Sequence, residues 1–199
     1  MNPELAAIIV HDLKNSLGAL EGELRALSED SPRAHQAHVN CLALQEKLIG
    51  FLTLYKASSQ GLQAQIEAVS PQDFLQALLR QQAFGKPGIS IGIDTANMPL
   101  LGFFDEHLVA LAVEAALQNA TRFARSRIDL GCIAQNGGVV FTVRDDGPGI
   151  GTLEEKPSTG LGMDLCRAIA LAHKKGEVGG SVTLSNLPEG GALFELYLP

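Results

Sequence analysis

Two glycine-rich turns that lie close together in the sequence constrain the fold of this chain most strongly. The apolar run VVFTV at 139–143 predicts a strand that ends at Asp145. The sequence GPG at 147–149 then requires a sharp turn, because neither a strand nor a helix continues through two glycines around a proline. A second turn, TGLG at 159–162, opens an apolar periodic segment and predicts the start of a helix. The free N–H groups and the positive dipole end of that helix favour a phosphate in front of them.

Two common phosphate-binding folds do not fit these turns. Neither glycine cluster reads G-x-G-x-x-G, and no βαβ unit with a ribose-binding acid surrounds them, which argues against a dinucleotide-binding fold. The chain has no Gly-Lys-Ser/Thr sequence, so a P-loop is not predicted either. The turns taken singly are compatible with two ordinary loops in an α+β domain.

A helix predicted over residues 106–124 favours a nucleotide site over ordinary loops. Apolar residues at helical spacing make its buried side: Leu108, Leu111, Ala112, Ala115 and Ala116. Glu114, Gln118, Asn119 and Arg122 interrupt that pattern, and several of them can share a face. Oxygen ligands for a metal and a cation for phosphate oxygens together suit a magnesium nucleotide.

The three motifs in this order resemble a known family. E-x-x-x-x-N-A-x-R-F, then D-x-G-x-G, then G-x-G are similar to the N, G1 and G2 boxes of the Bergerat (GHKL-type) ATP-binding fold, which sensor histidine kinases, gyrase B-type ATPases and MutL-like proteins share. The segment at 179–199, GGSVTLSNLPEGGALFELYLP, resembles the closing β-hairpin of kinase catalytic domains. The resemblance implies a two-layer α/β sandwich, rich in antiparallel strands, that binds ATP and Mg²⁺.

Roles for single residues follow from the resemblance. Asn119 matches the Asn that binds Mg²⁺, Arg122 the basic residue that meets phosphate, and Asp145 the Asp that accepts from the adenine amino group. Glu114 stands where many sensor kinases have a first Asn; in other branches a Glu on that helix activates the nucleophile or binds Mg²⁺ indirectly, and both roles stay open for it.

The glycine turns receive roles in the same way. The turn beneath the base is matched by Gly147 and Gly149, and the turn whose amides meet the phosphates by Thr159, Gly160 and Gly162. The loop between the two turns is much shorter than the usual ATP lid, and Lys156 is its plausible phosphate contact. We therefore expect weaker or faster-exchanging ATP.

The first sixty residues predict an antiparallel helical hairpin. Helices at 4–28 and 33–57 carry apolar residues at alternating spacings of four and three, and SEDSP at 28–32 separates them. Their apolar stripes are too broad for a lone hairpin to bury, so we expect a dimeric four-helix bundle or packing on the following domain. A polar linker near residue 60 divides the chain into 1–60, for dimerisation and phosphotransfer, and 61–199, for ATP binding.

The sequence HDLKNSL at 11–17 resembles the H-box of histidine kinases. His11 and Asn15 are four residues apart and share a helical face off the apolar seam. The resemblance implies that His11 is the phosphoacceptor, that Asp12 holds or takes its proton, and that Asn15 orients a water for removing phosphate from a response regulator. Ser16 replaces the usual Pro. The other histidines are predicted to be surface or helix-end residues: His35, His38, His107 and His173.

Composition limits the partners and the cellular compartment that we expect for this chain. A net charge of −7 without basic runs argues against nucleic acid as a partner. Three widely separated cysteines predict packing thiols in a reducing compartment: Cys41, Cys132 and Cys166. No apolar run is long enough to cross a membrane and the N-terminus is not basic, so we expect a soluble, cytoplasmic chain without membrane insertion.

The leading hypothesis is the core of a dimeric protein-histidine kinase. It would transfer the ATP γ-phosphoryl group to His11 and on to an Asp of a response regulator receiver domain. Since no sensor domain precedes His11, we expect a separate sensor protein, or else that the chain is a fragment. One alternative is a histidine phosphotransferase of a phosphorelay with a kinase-like, non-catalytic second domain. Another is an ATP-gated or serine-kinase module of the anti-sigma type, with Glu114 as the base.

Overall fold

A computed structural model describes residues 3–27, 31–81, 88–151 and 160–199. The chain divides into two compact units, Met1–Gly61 and Leu62–Pro199. The first unit is a hairpin of two helices, α1 (Pro3–Leu27) and α2 (Pro32–Gln60). Proline at the first position of α2 suits a helix start, and the hydroxyl of Ser31 accepts a hydrogen bond from Ala34 N at 3.5 Å.

The second unit contains three helices and nine strands among its described residues. In chain order they are β1 (Glu67–Val69), α3 (Pro71–Gln81), β2 (Ser90–Asp94), β3 (Gly102–Phe104), α4 (Glu106–Phe123), β4 (Arg127–Gln135), β5 (Gly138–Asp145), α5 (Leu161–Ala172), β6 (Lys174–Lys175), β7 (Val178–Gly179), β8 (Ser181–Asn186) and β9 (Ala192–Leu198). The short β6–β7 pair was not predicted.

Five of the strands form the main sheet, in the order β2-β4-β5-β9-β8. β2 pairs with β4 in parallel, and the other neighbours are antiparallel. The two-residue turn Asn136-Gly137 joins β4 to β5 with φ angles of 52° and 77°, the left-handed backbone that tight hairpins need. α4 and α5 pack on this sheet, so the predicted helical hairpin followed by a two-layer α/β sandwich is confirmed.

Three phenylalanine rings form the centre of the core between sheet and helices. The centroids of Phe74, Phe104 and Phe141 lie 5.0–5.5 Å apart in edge-to-face pairs. Burying each ring contributes on the order of 2 kcal/mol to folding. Because Phe141 belongs to the same strand as Asp145, this packing also helps to fix the position of the Asp145 carboxylate at the end of β5.

The ends of α4 and α5 are joined through one buried histidine. The sequence predicts a surface or helix-end residue at position 173, and His173 directly follows the last residue of α5, where it is only 1% exposed. Its Nδ1 donates to Ile169 O at 2.8 Å, and its Nε2 accepts from Asp105 N at 3.1 Å. Asp105 in turn caps α4, accepting from Leu108 N at 2.9 Å. Burial lowers the pKa of His173. The hydrogen bond to Ile169 and the nearby Asp105 carboxylate raise that pKa, but they do not offset the effect of burial.

Two predictions from composition can be compared with the structure. Cys41, Cys132 and Cys166 are all buried, which confirms them as packing thiols. Among the described residues, no helix combines the length and the apolar character needed to cross a bilayer.

The neutral His173 makes stability depend on pH. Since its pKa in the folded protein lies below the ordinary 6.5, the unfolded chain binds more protons, and the free energy of unfolding falls as pH drops below that value. His173→Gln keeps an acceptor for Asp105 N but does not titrate. We expect this variant to have a lower free energy of unfolding than the wild type at pH 7.5. Between about pH 7 and 5 its free energy of unfolding should fall less steeply than that of the wild type, in which the uptake of one proton on unfolding changes it by about 1.4 kcal/mol per pH unit. Urea unfolding across this range measures it.

The exposed His107 of α4 provides the control. His107→Gln should keep the wild-type pH slope. A slope that is equally steep in His173→Gln would show that His173 is not the titrating group.

Candidate functional site

A cleft of ≈ 340 Å³ opens between α4, α5 and the ends of β5, β8 and β9. Its lining is dominated by small side chains, which leave room for a flat or elongated ligand: Ala115, Ala116, Ala120, Gly149, Gly160 and Gly162. Sites of this size and apolar character with a few polar groups are typical of small-molecule binding. The polar groups of this cleft come from α4, from the end of β5 and from the first turn of α5.

α4 presents a mostly apolar face to the cleft, with one amide on it. Residues 115, 116, 119, 120 and 123 line the cleft and recur at the spacing of one helical face. Val109, Val113 and Leu117 of the same helix are buried. Asn119 is therefore held on a helix that is fixed by its own core, and its side chain faces the cleft from there.

Asp145 is the acidic group of the cleft and is only 8% exposed. Its Oδ1 accepts hydrogen bonds from Gly147 N at 2.8 Å and from Ala192 N at 3.4 Å. Among the described residues, none is hydrogen-bonded to Oδ2. The second oxygen is thus available to accept from a ligand in the cleft.

The turn after β5 needs glycine at two positions. A Cβ at residue 147 would lie 2.7 Å from Asp145 Oδ1 and 2.7 Å from the carbonyl oxygen of Phe123, too close for any side chain. Gly149 has a φ of 87°, and a Cβ there would lie 2.6 Å from Asn186 Oδ1. Glycine at both positions therefore allows the chain to make a tight turn at the edge of the cleft.

The second turn opens α5 without a side-chain cap. Gly160 is the N-cap residue, with a φ of 70°, and no side chain among the described residues caps the first turn. The N–H groups of this turn can therefore bind an anion. The acidic residue of the turn, Asp164, is paired with Arg167 at 3.0 Å, which reduces its repulsion of such an anion.

Asp146, the neighbour of Asp145, was not predicted to have a role and proves to be structural. It accepts from Arg125 N at 2.8 Å, from Ser126 N at 3.1 Å and from the Ser126 hydroxyl at 2.6 Å. Burial raises the pKa of Asp146, but these bonds together outweigh it and hold the pKa well below its usual range. The carboxylate thus ties the glycine turn to the connection between α4 and β4.

Some predicted residues lie elsewhere. Glu114 lines a separate hollow beside α3, with Phe74 and Leu78, and not the cleft. The reason is its spacing: five residues before Asn119 is about 140° around a helix, whereas four residues is about 40°. The residue four positions before Asn119, which lines the cleft with it, is Ala115. The structure therefore does not place Glu114 with the predicted nucleotide-binding residues.

The remaining predicted residues are at the cleft edge, in the other unit, or undescribed. Arg122 is exposed, with its guanidinium carbon 5.1 Å from the ring centroid of Phe123, a residue of the lining. Thr159 and Lys156 lie outside the described residues. His11, Asp12 and Asn15 belong to α1 in the first unit; the side chains of His11 and Asp12 are not described, and Asn15 is exposed.

Sequence reasoning missed the part of the cleft that β8 and β9 build. Leu184, Ala192 and Phe194 all contribute to the lining. Their residue types are ordinary for a hairpin, so only the pairing of β9 with β5 shows that they lie beside Asp145.

A family comparison identifies the class of this domain. Residues 104–199, which contain most of the cleft, match the histidine kinase-, DNA gyrase B- and HSP90-like ATPases. This match confirms the resemblance to the Bergerat ATP-binding fold that the motifs predicted.

Curated relatives of the whole chain are named as sensor kinases. Sensor protein KdpD of Escherichia coli is 28% identical over 222 residues, which cover 98% of this chain and 24% of KdpD. Sensor histidine kinase CpxA of Escherichia coli is 23% identical, over 98% of this chain and 46% of CpxA. The chain thus spans about a quarter to a half of the length of these relatives.

Solved structures of histidine kinases share the fold. Acinetobacter baumannii histidine kinase AdeS matches with a TM-score of 0.66 at 20% identity, over 94% of this chain and 96% of that chain. Full-length ShkA, solved in complex with AMPPNP, matches with a TM-score of 0.72 at 20% identity, over 100% of this chain and 46% of that chain.

The two glycine turns should respond differently to an added methyl group. Gly147→Ala would force its Cβ against the Asp145 carboxylate and the Phe123 carbonyl, and should lower the free energy of unfolding by about 2 kcal/mol or more. At Gly162 the nearest atom to a Cβ is 3.9 Å away, so Gly162→Ala should leave stability unchanged or raise it by up to about 1 kcal/mol. Urea unfolding of both variants measures this, and equal effects would contradict the tight packing of the first turn.

Proposed function

We propose that this chain is the kinase core of a two-component sensor. In this proposal ATP binds in the cleft, its γ-phosphoryl group passes to His11, and the phosphoryl group then passes to an Asp of a response regulator receiver domain. The observation that carries the proposal is that one cleft is lined by Asn119, by Asp145 and by glycines from both turns, Gly149, Gly160 and Gly162. These groups come from three separate segments, so their convergence is not a consequence of sequence proximity.

The cleft fits an adenine nucleotide in size and chemistry. The adenine amino group would donate to Asp145 Oδ2, between the apolar side chains of Val143 and Phe194. The phosphates would meet the uncapped N–H groups at Gly160, as an anion does at a helix N-terminus. The complex of ShkA with AMPPNP supports this choice of ligand.

Mg²⁺ would be held by few protein groups. Within the described ranges, no three or more His, Cys, Asp or Glu residues cluster in a way that suits a metal. This agrees with a cation that takes most of its ligands from nucleotide phosphates and water, with Asn119 as the protein ligand. Bound there, Mg²⁺ would neutralise phosphate charge during transfer. Arg122, one turn further along α4, would approach the phosphates from the cleft edge.

The phosphoacceptor assignment rests on the first unit. The alignments with KdpD and CpxA extend over 98% of this chain, so they include the hairpin as well as the ATP-binding domain. His11 would be the nucleophile, Asp12 the neighbour that holds its proton, and Asn15 the group that orients a water in the reverse, phosphatase reaction. His11 and Asn15 lie one turn apart on α1.

A homodimer would bury the apolar surface that the first unit leaves exposed. α1 and α2 contact each other, with Cys41 Sγ donating to Leu17 O at 3.7 Å and His38 paired with Glu21 at 2.9 Å. Large apolar side chains nevertheless stay exposed on both helices: Leu13, Leu20, Leu27, Leu44 and Phe51. Pairing two hairpins into a four-helix bundle would bury these stripes.

The phosphorelay alternative is less well supported. A relay protein that only passes phosphate between receivers does not need a nucleotide cleft, and here the cleft is formed with its acidic and amide groups in place. Nor does the place of Glu114 favour the serine-kinase alternative, because that residue faces a different hollow.

Asp145 should determine nucleotide affinity. In Asp145→Asn the side-chain oxygen can still accept the hydrogen bond from Gly147 N. The substitution replaces the second acceptor oxygen by an NH₂ group, which repels the adenine amino group. We expect the Kd for AMPPNP to rise at least about tenfold. Isothermal titration calorimetry with the full chain and Mg²⁺ measures this.

Asp94 offers a matched control for that change. Its Oδ1 also accepts from the N–H two residues on, Ala96 N at 3.0 Å, but it does not line the cleft. Asp94→Asn should bind like the wild type. If Asp145→Asn also binds like the wild type, the proposed adenine contact is wrong.

His11 should be required for labelling and not for binding. Incubation of the chain with Mg²⁺ and γ-labelled ATP should give an acid-labile, base-stable phosphate, which His11→Ala abolishes while nucleotide affinity stays the same. His35→Ala, which changes an exposed histidine of α2, should label normally. Labelling that survives in His11→Ala would remove His11 from the mechanism.

A further inference from the structure

The backbone that leaves the first glycine turn is held by one side chain from a distant part of the chain. Asn186, the last residue of β8, accepts a hydrogen bond at Oδ1 from Ile150 N at 2.5 Å. Its Nδ2 donates to Ile150 O at 3.4 Å. Because the amide both accepts from and donates to the same residue, it fixes the orientation of the peptide groups on both sides of Ile150.

The same end of the β8–β9 hairpin also contacts the residue before the turn. Asn186 is paired with Ala192 across the hairpin, and Ala192 N donates to Asp145 Oδ1. Next to it, Gly191 lies so close to the turn that a Cβ there would overlap the carbonyl oxygen of Asp145. The hairpin therefore holds the glycine turn at its entry, through Asp145, and at its exit, through Ile150.

These contacts are not needed to close the hairpin itself. Its turn is closed by backbone hydrogen bonds, from Leu187 N to Gly191 O and from Gly190 N to Leu187 O, both 3.0 Å long. Ile150 is 46% exposed, so apolar packing holds it only in part, although its side chain lines the cleft. The amide of Asn186 thus contributes to the placement of a cleft residue and not to the hairpin turn.

We infer that Asn186 is a positioning residue of the nucleotide site, and that it acts through Ile150. The inference rests on the proposed nucleotide binding and goes beyond it, because Asn186 does not line the cleft and belongs to none of the motifs that predicted the site. With the Asn186 amide in place, the Ile150 side chain keeps the position in which it forms part of this wall of the cleft.

The test is a double-mutant cycle on nucleotide affinity in the full chain. The variants are Asn186→Ala, Ile150→Ala and the double variant, each titrated with AMPPNP and Mg²⁺ by calorimetry. Loss of the two hydrogen bonds in Asn186→Ala should raise the Kd about fivefold to tenfold. In the Ile150→Ala background the same change should raise it by less than about twofold, because the side chain that Asn186 positions is then absent.

Thr183→Val is the matched control. It removes a side-chain hydrogen bond from the same strand, that of Thr183 Oγ1 to Glu195 Oε2 at 3.0 Å, and does not touch the cleft. It should bind like the wild type, with a thermal unfolding midpoint close to that of Asn186→Ala. Should Asn186→Ala fail to fold, Asn186→Asp replaces it in the cycle; this variant keeps the acceptor for Ile150 N and should show a smaller effect in the same direction.

The outcomes separate this inference from the proposed function. If the wild type binds AMPPNP and Asn186→Ala binds equally well, the positioning role is wrong while nucleotide binding stands. Additive effects of the two changes in the cycle would likewise overturn the inference, because they would show that Asn186 does not act through Ile150. If the wild type binds no nucleotide, the proposed function itself fails, and this inference fails with it.

Discussion

The buried carboxylate of Asp145 is the constraint on which the cleft depends. An ionised carboxylate among apolar side chains is costly unless hydrogen-bond donors surround it, and here they come from the backbone, at Gly147 and Ala192. A donor two residues away requires the chain to turn back at once, which only glycine allows at position 147. A donor from β9 requires the hairpin to approach closely, which only glycine allows at position 191. Two glycines that lie far apart in the sequence thus allow the backbone donors to reach the same carboxylate.

The two helices that flank the cleft are joined at the end of the domain away from the glycine turn of α5. Asp105, at the start of α4, and His173, just past the end of α5, share a buried hydrogen bond. At the opposite end of α5, after the N-cap Gly160, no side chain of the described part of the chain caps the first N–H groups. The spacing of the helices is therefore set by internal contacts at one end, while the hydrogen-bonding capacity of the other end is left for a ligand.

Much of this architecture could be predicted from the sequence, because its signals are local. The strand that ends at Asp145, the two glycine turns and the helix that carries Asn119 each follow from patterns within a short segment. Glu114 shows what a motif alone leaves out. It belongs to the matched motif, yet helical geometry places it about 140° around α4 from Asn119, and it lines a different hollow.

Contacts between distant segments could not be predicted in this way. Asn186 is an ordinary residue for the end of a strand, and nothing near it in the sequence relates it to Ile150. His173 has the sequence context of a helix end, and its burial follows only from the packing of Asp105 against it. In both cases the partner is set by the order of strands and helices in three dimensions, which local pattern does not encode.

The buried thiols have a consequence for the chemical reactivity of the domain. Burial raises the pKa of Cys132 and Cys166 to about 12, so the thiolate, which is the reactive form, is scarce at neutral pH. Cys166 lines the cleft, but its thiol donates to Ala112 O at 3.5 Å and is almost fully enclosed. An electrophilic inhibitor aimed at this cleft would meet no activated nucleophile in Cys166. Oxidants, for the same reason, would reach its sulfur only when α5 separates from α4.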